Sequence, residues 1–158
     1  MTRKATFAAG CFWGVEHAFR QVDGVVATRV GFTGGTTRRP SYEDVCRKDT
    51  GHAEAVEVTY DPDRVSYERL LDVFWRKHNP THTGYGREPG LGQYRSAIFV
   101  HDDAQRAAAA ASKARVQEGY GEPVATEIVP AERFHQAEAY HQQYIEKRAS
   151  RLPAAFTG

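Results

Sequence analysis

The run KATFAAGCFWGVEHAFR, residues 4–20, constrains this chain most, because its apolar pattern changes period at Gly10. KATFAA reads as a short buried strand. Beyond it Phe12, Val15, Ala18 and Phe19 recur at helical spacing and give one apolar face to a helix over Phe12–Arg20. A strand passed to a helix through one glycine implies a sheet layered against helices. It also sets Cys11 in the first helical turn, where unpaired N–H groups and the helix dipole favour a thiolate and pull its pKa below ~8.5. Gly10 permits the tight turn and a close approach to the backbone. On the residues alone two readings of Cys11 stand: an inert core thiol, or a nucleophile. Phe12 and Trp13 are likewise either plain core or the apolar wall of a cleft beside that nucleophile.

The rest of the chain keeps mixing the two periods. VVATRVGF and AEAVEVTY read as strands, with the glycine-proline loop TGGTTRRP between them. SYERLLDVFWRKH is a strongly amphipathic helix, Ser66 its N-cap and Tyr67, Leu70, Leu71, Phe74 and Trp75 its buried face. A long Pro/Gly loop over Asn79–Gly92 has the length often associated with function. YRSAIFVH returns to strand. Asp102 caps an alanine-rich helix to Glu118 that Gly119 stops, VATEIVP is a further strand, and FHQAEAYHQQYIEKR a last helix. With no repeat or linker, the 158 residues are expected to form one α+β domain.

Charge and cysteine usage narrow the function. Lys and Arg number 21 against 20 Asp and Glu, so a net charge of +1 gives no reason to expect nucleic acid or an anionic membrane. Two cysteines make no disulfide framework and no four-ligand zinc spacing. With neither a signal-peptide core nor a run of membrane-spanning length, a reducing cytoplasm is the expected location. His52 opens an HAE triplet similar to the H-x-E of zinc deaminases, but the P-C-x-x-C partner is missing. His78 and His82 have the spacing of a helical metal pair, yet Pro80 breaks the helix between them. No metal site is expected.

GCFWGVE resembles the signature of the A-class peptide methionine sulfoxide reductases, which reduce the S epimer of methionine sulfoxide. The resemblance continues in order through GFTGG, SYEDVCRKDTGHAEAVEVTYDP, SYERLLDVFW, GQYRSAIF and AEAYHQQY, over about residues 5–147, leaving a short tail at 148–158. It implies a single-domain two-layer sandwich with a mixed sheet and flanking helices. Sulfoxide reduction by a thiolate requires attack on sulfur and protonation of the departing oxygen, so the site needs a nucleophile, an acid and oxygen-holding donors. Cys11 matches the nucleophile and Glu54 the proton donor. By its residues alone, Glu54 facing outward from a two-sided strand is the commoner case. Its alanine neighbours and a nearby thiolate would otherwise raise its pKa. Tyr42 and Tyr94 match the tyrosines that hold the oxygen, and Phe12 and Trp13 the methyl pocket. His52, Glu138 and His141 match supporting positions near the site.

Two departures stand out. Many relatives carry resolving cysteines in a C-terminal tail. Here RASRLPAAFTG has none, and Cys46 matches a cysteine usually not used for resolving. The expectation is a monomer with no bound cofactor, whose Cys11 sulfenic acid is reduced by an external thiol: thioredoxin, glutaredoxin or a low-molecular-weight thiol. Second, Pro89 replaces a family aspartate at the pocket mouth, with Glu88 as a candidate substitute in substrate binding. That loop keeps open a paralogue retuned for another methyl sulfoxide. A non-catalytic methionine-binding homologue and a Cys–His hydrolase are the other readings. The first would not need acid and nucleophile together, and for the second no histidine has a general-base context.

Overall fold

The computed structural model describes residues 1–35, 41–42, 52–81 and 93–150. Cys46, His82, Glu88 and Pro89, with most of the loop before Tyr94, lie outside the described residues. So does most of the loop after Gly35.

Strand β1 (Arg3–Ala9) leads through Gly10 and Cys11 into helix α1 (Phe12–Arg20), and β2 (Val25–Thr33) and β3 (Ala53–Tyr60) follow. Helix α2 (Tyr67–Arg76) precedes β4 (Ser96–Val100), and α3 (Asp103–Gln117) crosses to β5 (Glu127–Pro130). A two-residue strand β6 (His135–Gln136), a 3-10 turn (Ala139–His141) and helix α4 (Tyr144–Ser150) complete the described chain. The strands form one mixed sheet in the order β5-β4-β1-β3-β2-β6. β4 and β5 pair in parallel, and the other neighbours are antiparallel.

The strand period sorts side chains between the two faces. Ala5, Phe7 and Ala9 of β1, Val30 and Phe32 of β2, and Val56 and Val58 of β3 pack in one core with Phe12, Val15 and Phe19 of α1 and Leu70, Leu71 and Phe74 of α2. Phe7 sits at its centre, stacked on Phe19 at 5.0 Å and tilted against Phe74 at 5.4 Å. The opposite face is lined by small residues, Ala8, Ala53, Ala55 and Ala97, with Phe99, under Val129, Ala131 and Phe134. Because β3 is central and covered on both faces, seven of its eight residues are buried. This explains why AEAVEVTY shows no clean alternation.

Local signals set several boundaries. The Ser66 hydroxyl accepts from the Arg69 amide at 3.1 Å, and the Asp102 carboxylate accepts from the Gln105 amide at 2.7 Å. The buried face of α2 is the expected five residues. On α1, however, Ala18 is half-buried and Glu16 is buried instead.

The expected continuous helix over 134–148 does not form. His135 and Gln136 pair with Gly31 and Phe32 at the sheet edge, the 3-10 turn follows, and Gln143 breaks the path with φ 51° before α4. The cause is tertiary. The Gln142 amide accepts from Val30 N at 2.8 Å and donates to Val30 O and Ala137 O at 2.9 Å, so it substitutes for missing strand pairing along β2. Helical propensity of well under 1 kcal/mol per residue does not outweigh such buried hydrogen bonds. Glu138 and His141 therefore lie in the turn before α4, not on a helix.

Candidate active site

The end of β1 and the start of α1 build the nucleophile's setting. Gly10 takes φ 94°, a left-handed conformation suited to glycine, and Cys11 with φ −62° and ψ 122° becomes the N-cap of α1. Cys11 is an exposed free thiol. The Trp13 and Gly14 amides at the helix start pull its pKa down, as expected of a helix N-terminus. Desolvation of the sulfur, with the like charge of Glu54, outweighs them. The Cys11 pKa therefore stands above its ordinary value, not below it. The helix amides act in the expected direction, and desolvation, which depends on the tertiary packing around the sulfur, overrides them.

That carboxylate comes from β3. Glu54 shares the helix-facing side of the strand with Val56 and Val58 and is 1% exposed, so the outward-facing alternative is excluded. Oε1 accepts from the Phe12 amide at 3.2 Å and Oε2 from Gln93 Nε2 at 3.0 Å, and the Tyr94 hydroxyl also donates to the carboxylate. Burial still prevails and pushes Glu54 up to about 7. A carboxyl group titrating there holds a proton near neutrality and sits beside the cysteine's helix. Gln93, which also accepts from the Glu54 amide at 2.7 Å through its own carbonyl, escaped sequence reasoning. Its signal in the sequence is its place beside Tyr94 in GQYRS.

An aromatic group walls the site. Phe12 is buried and lies against Phe32, Tyr42 and His141, with centroids 5.6, 6.2 and 5.3 Å away. Trp13 is half-buried, stacked on Tyr144 at 4.0 Å and on His141 at 5.6 Å. Its Nε1–H donates to His141 Nδ1 at 2.9 Å. An indole nitrogen only donates, so in the neutral ring the proton of His141 is on Nε2. Burial lowers the His141 pKa, which favours that neutral form. Glu138 reaches both sides of this wall, with Oε1 accepting from the Tyr42 amide at 3.2 Å and Oε2 3.8 Å from His141 Nε2.

The described structure thus brings together Cys11, Phe12, Trp13, Tyr42, Glu54, Tyr94, Glu138 and His141. His52 is placed differently. Its Nδ1 accepts from the Gly35 amide at 3.0 Å and its ring lies edge-on to His135 at 5.1 Å, so it secures the ends of β2 and β6. His78 bonds Ser96 Oγ at 2.7 Å and the Phe74 carbonyl at 3.0 Å, which occupies both ring nitrogens in the core. Among the described residues no group of three or more His, Cys, Asp or Glu could hold a metal ion, and no helix is long and apolar enough to cross a membrane.

Comparison with known proteins points to one family. A family model described as peptide methionine sulfoxide reductase matches residues 3–155. The peptide methionine sulfoxide reductase MsrA of Methanosarcina mazei is 60% identical over 148 residues, 92% of this chain and 70% of the relative. The reduced form of Mxr1 from Saccharomyces cerevisiae has a TM-score of 0.84 at 37% identity, covering 99% of this chain and 90% of that one. Mxr1 in complex with Trx2 has a TM-score of 0.64 at 32% identity, covering 90% and 84%. A thiol at a helix start, a carboxyl group titrating near neutrality across from it and a match along almost the whole chain lead to one conclusion: the chain belongs to the peptide methionine sulfoxide reductase family, oxidoreductases that reduce methionine sulfoxide.

Proposed function

We propose that Cys11 is the nucleophile and Glu54 the proton donor in reduction of the S epimer of methionine sulfoxide, free or in proteins. The observation that carries this is Glu54, pushed up to about 7 and bonded to the amide of the residue after Cys11. The Cys11 sulfur attacks the sulfoxide sulfur while Glu54 delivers a proton to the oxygen. As the S–O bond breaks, the oxygen passes to Cys11. The thiol is oxidised by two electrons to a sulfenic acid, and the sulfoxide is reduced by two to the thioether. Tyr42, in the aromatic wall, and Tyr94, whose single O–H turns from Glu54 to the substrate once Glu54 is protonated, hold the oxygen. Phe12 and Trp13 receive the S-methyl group. Glu88 would contribute to the pocket mouth from outside the described residues.

The same reading treats residues 1–158 as one catalytic domain acting as a monomer in the cytoplasm. The Cys11 sulfenic acid reacts with an external thiol to give a mixed disulfide and water. A second thiol then releases Cys11. The Mxr1–Trx2 complex supports a thioredoxin-like reductant, and the sequence's other thiol is Cys46. The test is turnover of each epimer by wild type and Cys11→Ser, followed by dimedone trapping after substrate without reductant. Loss of S-epimer turnover and an adduct on Cys11 are expected. Activity of Cys11→Ser equal to wild type would overturn the assignment of the nucleophile. A Cys11–Cys46 disulfide with no adduct would overturn reduction by an external thiol alone.

A further inference from the structure

We propose that Glu16 is a positioning residue for the substrate pocket, acting through Gln143 to set the Trp13 wall. Glu16 is 1% exposed on the face of α1 that carries Phe12, Val15 and Phe19 into the core. A carboxylate there needs dedicated donors. It has three. The Gln143 backbone amide donates to Oε1 at 2.7 Å, Gln143 Nε2 to Oε2 at 2.9 Å, and the Thr28 hydroxyl to Oε2 at 2.7 Å.

Gln143 is the described non-glycine residue with positive φ, at 51°. A side chain in the left-handed region persists when the surroundings over-determine it. Its backbone amide and its side-chain amide both donate to the Glu16 carboxylate, with Nε2 also 3.5 Å from the Thr28 carbonyl, and the carboxylate supplies that determination. The consequence falls on its neighbours. His141 and Tyr144 flank this break in the chain, and both rings stack on Trp13, His141 also accepting the indole proton at 2.9 Å. Without the left-handed residue the 3-10 turn would not hand over to α4 at the angle that brings both rings to one indole. Glu16 lies three residues after Trp13 on the same helix, so α1 carries both the indole and the anchor that orients the indole's partners.

This inference rests on Trp13 forming the pocket wall for the methyl group. Glu16→Gln keeps the shape but puts an amide donor against the donors of Gln143. It is expected to raise KM for a methionine sulfoxide peptide about tenfold with kcat within about twofold. Adding Gln143→Gly, which tolerates the left-handed backbone without an anchor, is expected to restore most of that loss. In a Trp75→Phe background the remaining indole reports Trp13 alone, and Glu16→Gln should increase its quenching by acrylamide whether or not the enzyme turns over. That readout separates failure of this inference from failure of the proposed chemistry, which Cys11→Ser tests. A folded Glu16→Gln with unchanged KM and quenching would overturn the inference, as would a double variant no better than the single. If Glu16→Gln does not fold, Gln143→Ala, which loses the Nε2 bond, should raise KM about threefold. Wild-type KM in that variant would likewise overturn it.

Discussion

The amide of Phe12 donates to Glu54 Oε1 at 3.2 Å, which ties the candidate acid to the first residue of the helix that Cys11 caps. The Glu54 charge adds to the desolvation that raises the Cys11 pKa, while the rise of Glu54 itself comes from burial.

The first prediction concerns the pH profile. The reactive form has Cys11 as thiolate and Glu54 protonated, one proton on the pair. With Glu54 at about 7 and Cys11 above its ordinary thiol value, the pair loses its first proton near 7 and its second well above that. S-epimer kcat/KM should therefore rise as pH passes about 7 and fall again in the alkaline range. Glu54→Gln removes the acid and the like charge together. Its residual rate should follow only the thiolate, rising without an alkaline fall, and Cys11 should alkylate with iodoacetamide at lower pH than in wild type. A flat wild-type profile between pH 6 and about 8 would contradict the pairing.

The second is a stability cost. Glu54 titrates at about 7 in the fold against an ordinary value of 4.5, so the folded state binds more protons than the unfolded chain between those values. The stability associated with protonated Glu54 is present below 4.5 and is lost as pH rises through about 7. A shift of that size corresponds to about 3 kcal/mol. Urea unfolding at pH 5 and pH 8 should show wild type weakening at the higher pH, with Glu54→Gln far less affected. Identical pH dependence in both proteins would exclude Glu54 as the cause.

Tyr94 supplies the third. Its hydroxyl lowers the Glu54 pKa by donating to the carboxylate. Tyr94→Phe should therefore move the acid limb of the profile upward. It should also reduce kcat by about 10- to 100-fold if the same hydroxyl holds the sulfoxide oxygen. A shifted limb with unchanged kcat would confine Tyr94 to tuning the acid.

Gln142 supplies the fourth. Its amide makes three buried hydrogen bonds, two of them to the Val30 backbone of β2. Gln142→Ala removes the partner of the Val30 amide and of the Ala137 carbonyl, while the Val30 carbonyl keeps the Ala137 amide at 3.0 Å, and should destabilise the protein by about 2–4 kcal/mol, measured by chemical unfolding. A loss under about 0.5 kcal/mol would show that water replaces the amide at no cost.

Local physics alone determined much of this protein. The change of period at Gly10, the caps Ser66 and Asp102 and the apolar stripe of α2 each depend on residues within a few positions, so their spacing was legible in the sequence. The collinear motifs made Cys11, Glu54, Tyr42 and Tyr94 legible as site candidates. Tertiary structure decided what depends on partners distant in the chain. Whether Glu54 faced solvent depended on β3 being central. Whether Cys11 ended above or below its ordinary pKa depended on burial and on that carboxylate winning over two helix amides. The residues from Phe134 to Arg148 had helical composition, yet His141, Gln142, Gln143 and Tyr144 each bond or stack against a partner more than 100 positions away. Those contacts bury polar groups and aromatic rings together, and their combined free energy exceeds the small helical preference of the local chain.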